Sequence, residues 1–251
     1  MGTVRIAGRQ IAAAILDTDG VVTDTASVHF SAWKDVFDAY LRERSDRGEA
    51  AGGEFTHADY LRHVDGVARY DGVRRFLASR DIELPEGDPE DAPERETVCG
   101  IGNRKNERFL RRLRADGAPP YDGTLELLRW LRSQRVPTAV ISASRNAAEV
   151  LAAAGADELF DARVDGVEAD RLGLPGKPDP AVFLEAAARI DVPADLAMIV
   201  EDAQSGVQAG RDGGFGLVVG VDRVQQREQL LAHGADLVVD DLAELLPEVR
   251  T

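Results

Sequence analysis

Residues 11–25 read Ile11-Ala12-Ala13-Ala14-Ile15-Leu16-Asp17-Thr18-Asp19-Gly20-Val21-Val22-Thr23-Asp24-Thr25, an apolar run that stops on an acid. The run 11–16 is too short for a stable helix and carries no polar interruption, which suits a strand covered on both faces. Runs of the same kind recur at 138–141, 196–200, 217–221 and 237–239, most of them rich in β-branched residues. From Gly123 onward they alternate with helical patterns at 124–132, 147–154, 181–190 and 224–233. That alternation is the βαβ rhythm of a parallel sheet. The expected class is α/β, a doubly wound parallel-sheet (Rossmann-like) core.

Between the first strand and Tyr121 the rhythm stops. Helical patterns at 28–44, 69–79 and 106–115 follow one another with no convincing strand between them, and the polar breaks at 48–54 and 85–96 read as loops. The simplest organisation is a core domain of residues 1–25 and 121–251 carrying an inserted α-helical domain of residues 26–120.

Composition narrows the function. With 44% hydrophobic and 30% charged residues, the chain of 251 residues reads as an ordinary folded one. Its net charge of −15 argues against nucleic acid as a partner, because phosphate backbones are held by clustered Lys and Arg. A small phosphorylated substrate needs only one local basic pocket. Cys99 is the single cysteine, so no intrachain disulfide forms and a reducing, cytoplasmic location is expected. The longest apolar runs fall far short of a membrane-spanning helix, so no membrane association is expected, and a monomer is the default.

In open parallel sheets ligands gather beyond the carboxyl ends of the strands. Asp17 and Asp19 stand two residues apart where the first strand enters its loop, a spacing that projects both side chains to one side of an extended backbone. Paired carboxylates raise each other's pKa unless a cation, a shared proton or solvent relieves them. Alone, such a pair is as readily a turn. The run 196–200, however, also ends on acids, Glu201 and Asp202, at the same sheet edge, and a hard, oxygen-seeking cation such as Mg²⁺ becomes the better explanation. Asp202 would otherwise read as a helix cap. The run 138–141 ends in Ser142-Ala143-Ser144-Arg145-Asn146, hydroxyls followed by free helical N–H groups, which suit an anion or an ordinary serine cap. Lys177, stiffened by Pro178 and Pro180, can face the acids; a surface turn is its commoner setting. A carboxylate nucleophile, a second carboxyl group, a metal, a hydroxyl and a lysine are the parts of a phosphoryl-transfer site, where positioning and charge neutralisation do most of the catalysis.

These motifs resemble those of the haloacid dehalogenase superfamily, in order: Asp17-Thr18-Asp19-Gly20, Ser142, Lys177 and Glu201-Asp202. Within it, residues 17–25 followed by His29-Phe30 and Ala32-Trp33-Lys34, and the stretch Ser142-Ala143-Ser144-Arg145-Asn146, are similar to the β-phosphoglucomutase subfamily. The resemblance implies Asp17 as nucleophile and Asp19 as general acid and base. It implies Mg²⁺ held by Asp17, the Asp19 carbonyl and Asp202, with Glu201 close by or ligating, and Ser142 and Lys177 on the transferring phosphoryl group. It also implies that the helical insertion is a cap that closes over the site. There Gly66-Val67-Ala68-Arg69 is similar to a segment whose arginine grips the phosphate not being transferred, with Ser144 and Asn146 completing that second site. Thr25, His29 beside the cap hinge, Ala143, Arg145 and Lys105 in the segment Arg104-Lys105-Asn106 belong to the implied substrate surroundings. Two departures stand out: Asp65 replaces a basic residue, and Arg145 replaces a lysine. The implied activity is interconversion of β-glucose 1-phosphate and glucose 6-phosphate through an aspartyl phosphate and glucose 1,6-bisphosphate. The alternatives are a sugar-phosphate phosphatase, which ends the first half-reaction with water, and a partner domain that has kept the fold without activity.

Overall fold

The computed structural model describes residues 2–50 and 52–247. The chain begins with a two-stranded antiparallel ribbon, β1 (Val4–Ile6) and β2 (Arg9–Ile11). Ala7 and Gly8 between them both have positive φ, 49° and 79°, the left-handed pair that a two-residue hairpin turn requires. Next come β3 (Ala13–Asp17) and the helices α1 (Ala26–Asp46), α2 (His57–His63), α3 (Arg69–Ala78) and α4 (Val98–Asp116). The remainder is α5 (Asp122–Ser133), β4 (Thr138–Ile141), α6 (Ala147–Ala153), β5 (Ala162–Val164), α7 (Gly166–Leu172), α8 (Ala181–Arg189), β6 (Ala197–Glu201), α9 (Gln204–Asp212), β7 (Leu217–Val221), α10 (Arg227–Ala232) and β8 (Leu237–Val239).

Two compact units result, Met1–Asp24 with Ala118–Thr251, and Thr25–Gly117. In the first, six parallel strands are ordered β5-β4-β3-β6-β7-β8. Residues of alternating parity feed separate apolar layers, as a period of two demands. Leu16, Val140, Met198, Val200 and Val219 pack with Leu127, Leu128 and Leu131 of α5 on one face, and Ile15, Ile141, Ile199 and Val218 pack with Phe183 of α8 and Val207 of α9 on the other. Connections leave β3 toward β4 and β5 but leave β6 toward β7 and β8, so the order reverses between β3 and β6 and opens a crevice at their carboxyl ends.

The second unit is helical and has its own core. Trp33 and Phe37 stack at 4.9 Å between centroids, and Phe37 meets Phe76 at 4.2 Å. Asp38 of α1 accepts the Phe55 N–H at 2.7 Å and pairs with Lys34 at 2.7 Å, which ties the loop before α2 onto α1. A Thr56/Asp59 capping box starts α2.

Several boundaries differ from the sequence reading. Ile11 belongs to the ribbon, and the first strand of the main sheet is Ala13–Asp17. Helix α4 begins at Val98 rather than near residue 106: Gly100, Gly102 and Asn103 have weak helix propensity, but the Thr97 hydroxyl caps the helix by accepting the Gly100 N–H at 2.9 Å. Helix α10 starts at Arg227 rather than 224, because Gln225 has a φ of +60° and the Gln226 N–H turns back to Asp222 Oδ1 at 2.8 Å. Among the described residues no helix is long and apolar enough to cross a membrane.

Candidate active site

Strands β4, β3 and β6 are neighbours, with Asp17 level with Ile141 and Leu16 level with Val200. Parallel neighbours lie about 4.8 Å apart, so the residues at and just past their carboxyl ends must meet. These are Asp17 on β3, Ser142 after β4, and Glu201 and Asp202 at the end of β6. Lys177 reaches the same place from the loop between α7 and α8.

The stretch after β3 is held by its own backbone. The Asp19 N–H donates to Asp17 Oδ2 at 3.0 Å, and the N–H groups of Val22 and Thr23 both donate to the Thr18 carbonyl. The Thr18 hydroxyl donates to the Ile141 carbonyl at 2.9 Å, and the Thr124 hydroxyl to the Val21 carbonyl at 2.7 Å, which fastens the loop to β4 and α5. Gly20 has φ +79°, and a Cβ there would stand 1.8 Å from Asp202 Oδ2. Only glycine lets the two acidic loops approach so closely. Gly206 serves Glu201 similarly, since its Cβ would lie 1.9 Å from Glu201 Oε1.

The charges are buried: Asp17 is 5% exposed, Lys177 3%, Glu201 0% and Asp202 8%. Lys177 Nζ donates to Asp17 Oδ1 at 2.6 Å and also to Glu201 Oε1, while Glu201 Oε2 accepts the Ala203 N–H at 2.9 Å. Burial raises the Asp17 pKa well above the ordinary aspartate value, Lys177 opposes the rise, and Glu201 and Asp19 add to it. Burial pulls Lys177 downward, but Asp17 and Glu201 outweigh it and hold the ammonium protonated. The Ser142 hydroxyl accepts the Ser144 N–H at 3.0 Å and stands 3.5 Å from Asp19 Oδ2. The Ser144 hydroxyl in turn accepts the Asn146 N–H at 3.1 Å, and Asn146 occupies the cap position of α6. The cap position of α9 is Ala203, not Asp202.

Asp17, Asp19, Ser142, Lys177, Glu201 and Asp202 are thus brought together, with Ala143, Ser144 and Asn146 continuing from Ser142. Arg145 is directed elsewhere, being exposed and ion-paired with Asp170 of α7. The other candidates lie in the helical unit. Thr25 is buried at the start of α1, and Gly66 makes the turn before α3 with φ +67°. Arg69 Nη2 donates to Asn106 Oδ1 at 2.9 Å, its Nη1 lies 3.5 Å from Asn103 Oδ1, and its guanidinium rests over Tyr70. Lys105, 5% exposed, sits 2.6 Å from His29 Nδ1 and over the rings of Trp33 and Phe109, while His29 stacks on Phe109. Asp65 is half-buried and closes the turn after α2 by donating its N–H to the Tyr60 carbonyl.

Oxygen atoms of Asp17, Glu201 and Asp202 all lie within 4.8 Å of one another. An all-oxygen, multiply charged, buried donor set fits a hard divalent cation.

Two contributors escaped the sequence reading. Arg223 Nε donates to the Gly20 carbonyl at 2.8 Å, and Gln226 Nε2 to the Asp202 carbonyl at 2.9 Å. Both act on backbone oxygens, which leave no motif; their place just after β7, at the same sheet edge, was the available signal.

Residues 11–214 match the family model described as haloacid dehalogenase-like hydrolase. A curated β-phosphoglucomutase of Mycobacterium bovis is 49% identical over 241 residues, 94% of this chain and 92% of that protein. A β-phosphoglucomutase of Bacillus subtilis is 32% identical over 94% of this chain and 92% of its own length. Among solved structures, a β-phosphoglucomutase from Clostridium difficile superposes with a TM-score of 0.74 at 25% identity, covering 95% of this chain and 94% of that one.

Proposed function

The chain belongs to the haloacid dehalogenase-like hydrolase family, and we propose that it is a β-phosphoglucomutase, interconverting β-glucose 1-phosphate and glucose 6-phosphate through glucose 1,6-bisphosphate. The sugar and the mutase outcome come from the near-full-length identity to the mycobacterial mutase. The phosphoryl chemistry rests above all on one observation: the oxygens of Asp17, Glu201 and Asp202 gather within 4.8 Å at the end of β3, beside Lys177.

Asp17 is the nucleophile. Its carboxylate attacks phosphorus as the ester bond to the sugar breaks, giving an aspartyl phosphate and splitting one transfer into two. Asp19 donates its proton to the departing sugar oxygen and, in the return step, takes the proton of the attacking hydroxyl. Lys177 stays protonated and places its charge on the phosphoryl oxygens, joined by the Ser142 hydroxyl. Mg²⁺ is the cation of choice: Asp17, Asp202 and the Asp19 carbonyl would hold it with Glu201 alongside, and when bound it would neutralise the charge that builds on the phosphoryl group. Glu201 has both oxygens engaged, with Lys177 and with the Ala203 N–H, so its principal task is to orient that lysine. Arg69, already aligned by Asn106, is our candidate for gripping the phosphate that is not being transferred. His29, Lys105, Thr25, Gly66 and Ala143 are our remaining candidates for contact with the substrate, whereas Arg145, paired with Asp170, is not among them. Because a charged sugar phosphate does not cross a bilayer unaided, we assign the activity to the cytoplasm.

The test is a product balance. With Mg²⁺, β-glucose 1-phosphate and a trace of glucose 1,6-bisphosphate, the expected product is glucose 6-phosphate with little inorganic phosphate. Stoichiometric inorganic phosphate and no isomer would replace the mutase with a sugar-phosphate phosphatase.

A further inference from the structure

The acidic loops after β3 and after β6 repel each other, and the sheet that carries them ends before they do. Gly20 and the Asp202 carboxylate nonetheless touch, with no room for a Cβ between them. A short stretch, residues 222–226 between β7 and α10, reaches both loops. Arg223 Nε donates to the Gly20 carbonyl at 2.8 Å, its Nη1 donates to the Asp240 carbonyl at 3.1 Å, and its guanidinium carbon lies over the Tyr121 ring, 3.6 Å from the centroid. The Tyr121 hydroxyl donates onward to Asp24 Oδ1 at 3.1 Å, so the far end of the first loop is tied to the same stack. Gln226, only 5% exposed, donates its amide to the Asp202 carbonyl at 2.9 Å. Its own carbonyl is fixed by the Gln204 amide at 3.1 Å and its N–H by Asp222 Oδ1 at 2.8 Å.

We propose that Arg223 and Gln226 are positioning residues, two jaws of one clamp that sets the gap between the Asp17–Asp24 loop and the loop after β6, and thereby the affinity for a divalent cation. The proposal rests on the cation reading above. Both side chains grip main-chain oxygens rather than the carboxylates, and the guanidinium makes a charge-assisted bond where an amide would make a weaker one. Neither residue need touch substrate. Partners of this indirect kind change metal affinity roughly 10–100-fold when removed.

The test uses the full-length protein freed of metal by chelation and titrated with Mg²⁺ in a calorimeter. Arg223→Met and Gln226→Met are each expected to weaken Mg²⁺ binding by roughly 10–100-fold while still melting cooperatively without metal, and Arg223→Lys to recover part of the loss. Because either jaw alone releases the gap, the double variant is expected to bind little worse than the weaker single one. A residue that merely stabilises the fold would lower the melting temperature and leave Mg²⁺ affinity unchanged; that result, or losses that multiply in the double variant, overturns the clamp. Hydrogen exchange on the unaltered protein decides the matter if the variants do not fold. Amides of residues 18–23 and 203–204 should be protected before Mg²⁺ is added, and free exchange until the ion binds would overturn the proposal. A parent protein that takes up no Mg²⁺ at all would instead remove the cation reading, and this inference with it.

Discussion

At the carboxyl end of β3 the core unit buries Asp17, Lys177 and Glu201 at 5%, 3% and 0% exposure, whereas the helical unit fills its interior with Phe37, Phe55 and Phe76, each at 0%. Burying an ion costs several kcal/mol even when it is paired, while a buried ring contributes about 1.5–3 kcal/mol and more where rings meet edge to face. The core unit therefore gives up stability where it does chemistry, and the helical unit keeps what its aromatic cluster supplies. Asp17 makes the point sharply. Its folded pKa lies above the unfolded one, so ionising it costs more in the native state than in the unfolded chain. Its contribution is best below the ordinary aspartate pKa, declines as pH rises toward the raised folded value, and is unfavourable at neutrality.

The comparison is open to direct attack, and the largest expected effect is on activity. Asp17→Asn should lower turnover by roughly 10⁵-fold or more, the scale seen when a nucleophile is removed, as read by conversion of β-glucose 1-phosphate. In the helical unit, Phe37→Ala should cost about 3–5 kcal/mol in a urea titration of that unit's unfolding, and a loss under 1 kcal/mol would mean that its core is not the packed cluster described. Arg69→Ala sharpens the division of labour between the units. It removes a charged contact worth about 1.5–3 kcal/mol, so kcat/KM for the sugar phosphate should fall on the order of 10–150-fold, while phosphorylation of Asp17 by acetyl phosphate, which has no second phosphate, should be unchanged.

A smaller effect runs in the opposite direction. In the metal-free protein, Asp17→Asn should raise the thermal midpoint, by roughly 2–4 °C for each kcal/mol of crowding relieved, because it removes a buried charge that the fold makes costly to ionise. A lowered midpoint would show that the bond to Lys177 outweighs burial. The smallest effect lies on the core surface, where Arg171 and Arg189 hydrogen-bond to Glu168 and depress its pKa to about 2. A depressed carboxyl contributes stability above its unfolded pKa that is lost as pH falls toward the folded value. Carboxyl NMR should find a midpoint near 2 for Glu168, and high salt should raise it.

The same contrast explains what could be read beforehand. Strands β3, β4, β6 and β7 are apolar runs that stop abruptly at a polar residue or a turn, and the sheet rule then names Asp17, Ser142, Glu201 and Asp202 as neighbours before any coordinates exist. Strand β5, three residues with Arg163 in the middle, lacks that pattern and owes its place to pairing with β4. Helix α2 owes its existence to the Thr56/Asp59 cap and to Tyr60 packing against the aromatic cluster rather than to periodicity. The start of α4 was invisible because Gly100 and Gly102 argue against a helix that packing against α1 and α3 supports. Arg223 and Gln226 were missed for a related reason: a side chain that serves a backbone oxygen has no partner residue type to betray it.

Crystals grown with Mg²⁺ and beryllium fluoride, which mimics a phosphoryl group on a carboxylate, address the nucleophile and the cation in one measurement. The expected map has the fluoride bonded to an Asp17 oxygen and in contact with Lys177 and Ser142, and an ion about 2.0–2.1 Å from oxygens of Asp17 and Asp202 and from the Asp19 carbonyl. Beryllium fluoride on any other carboxylate, or an ion that leaves Asp17 and Asp202 unligated, would contradict the assignment of Asp17 as the group that takes up phosphate.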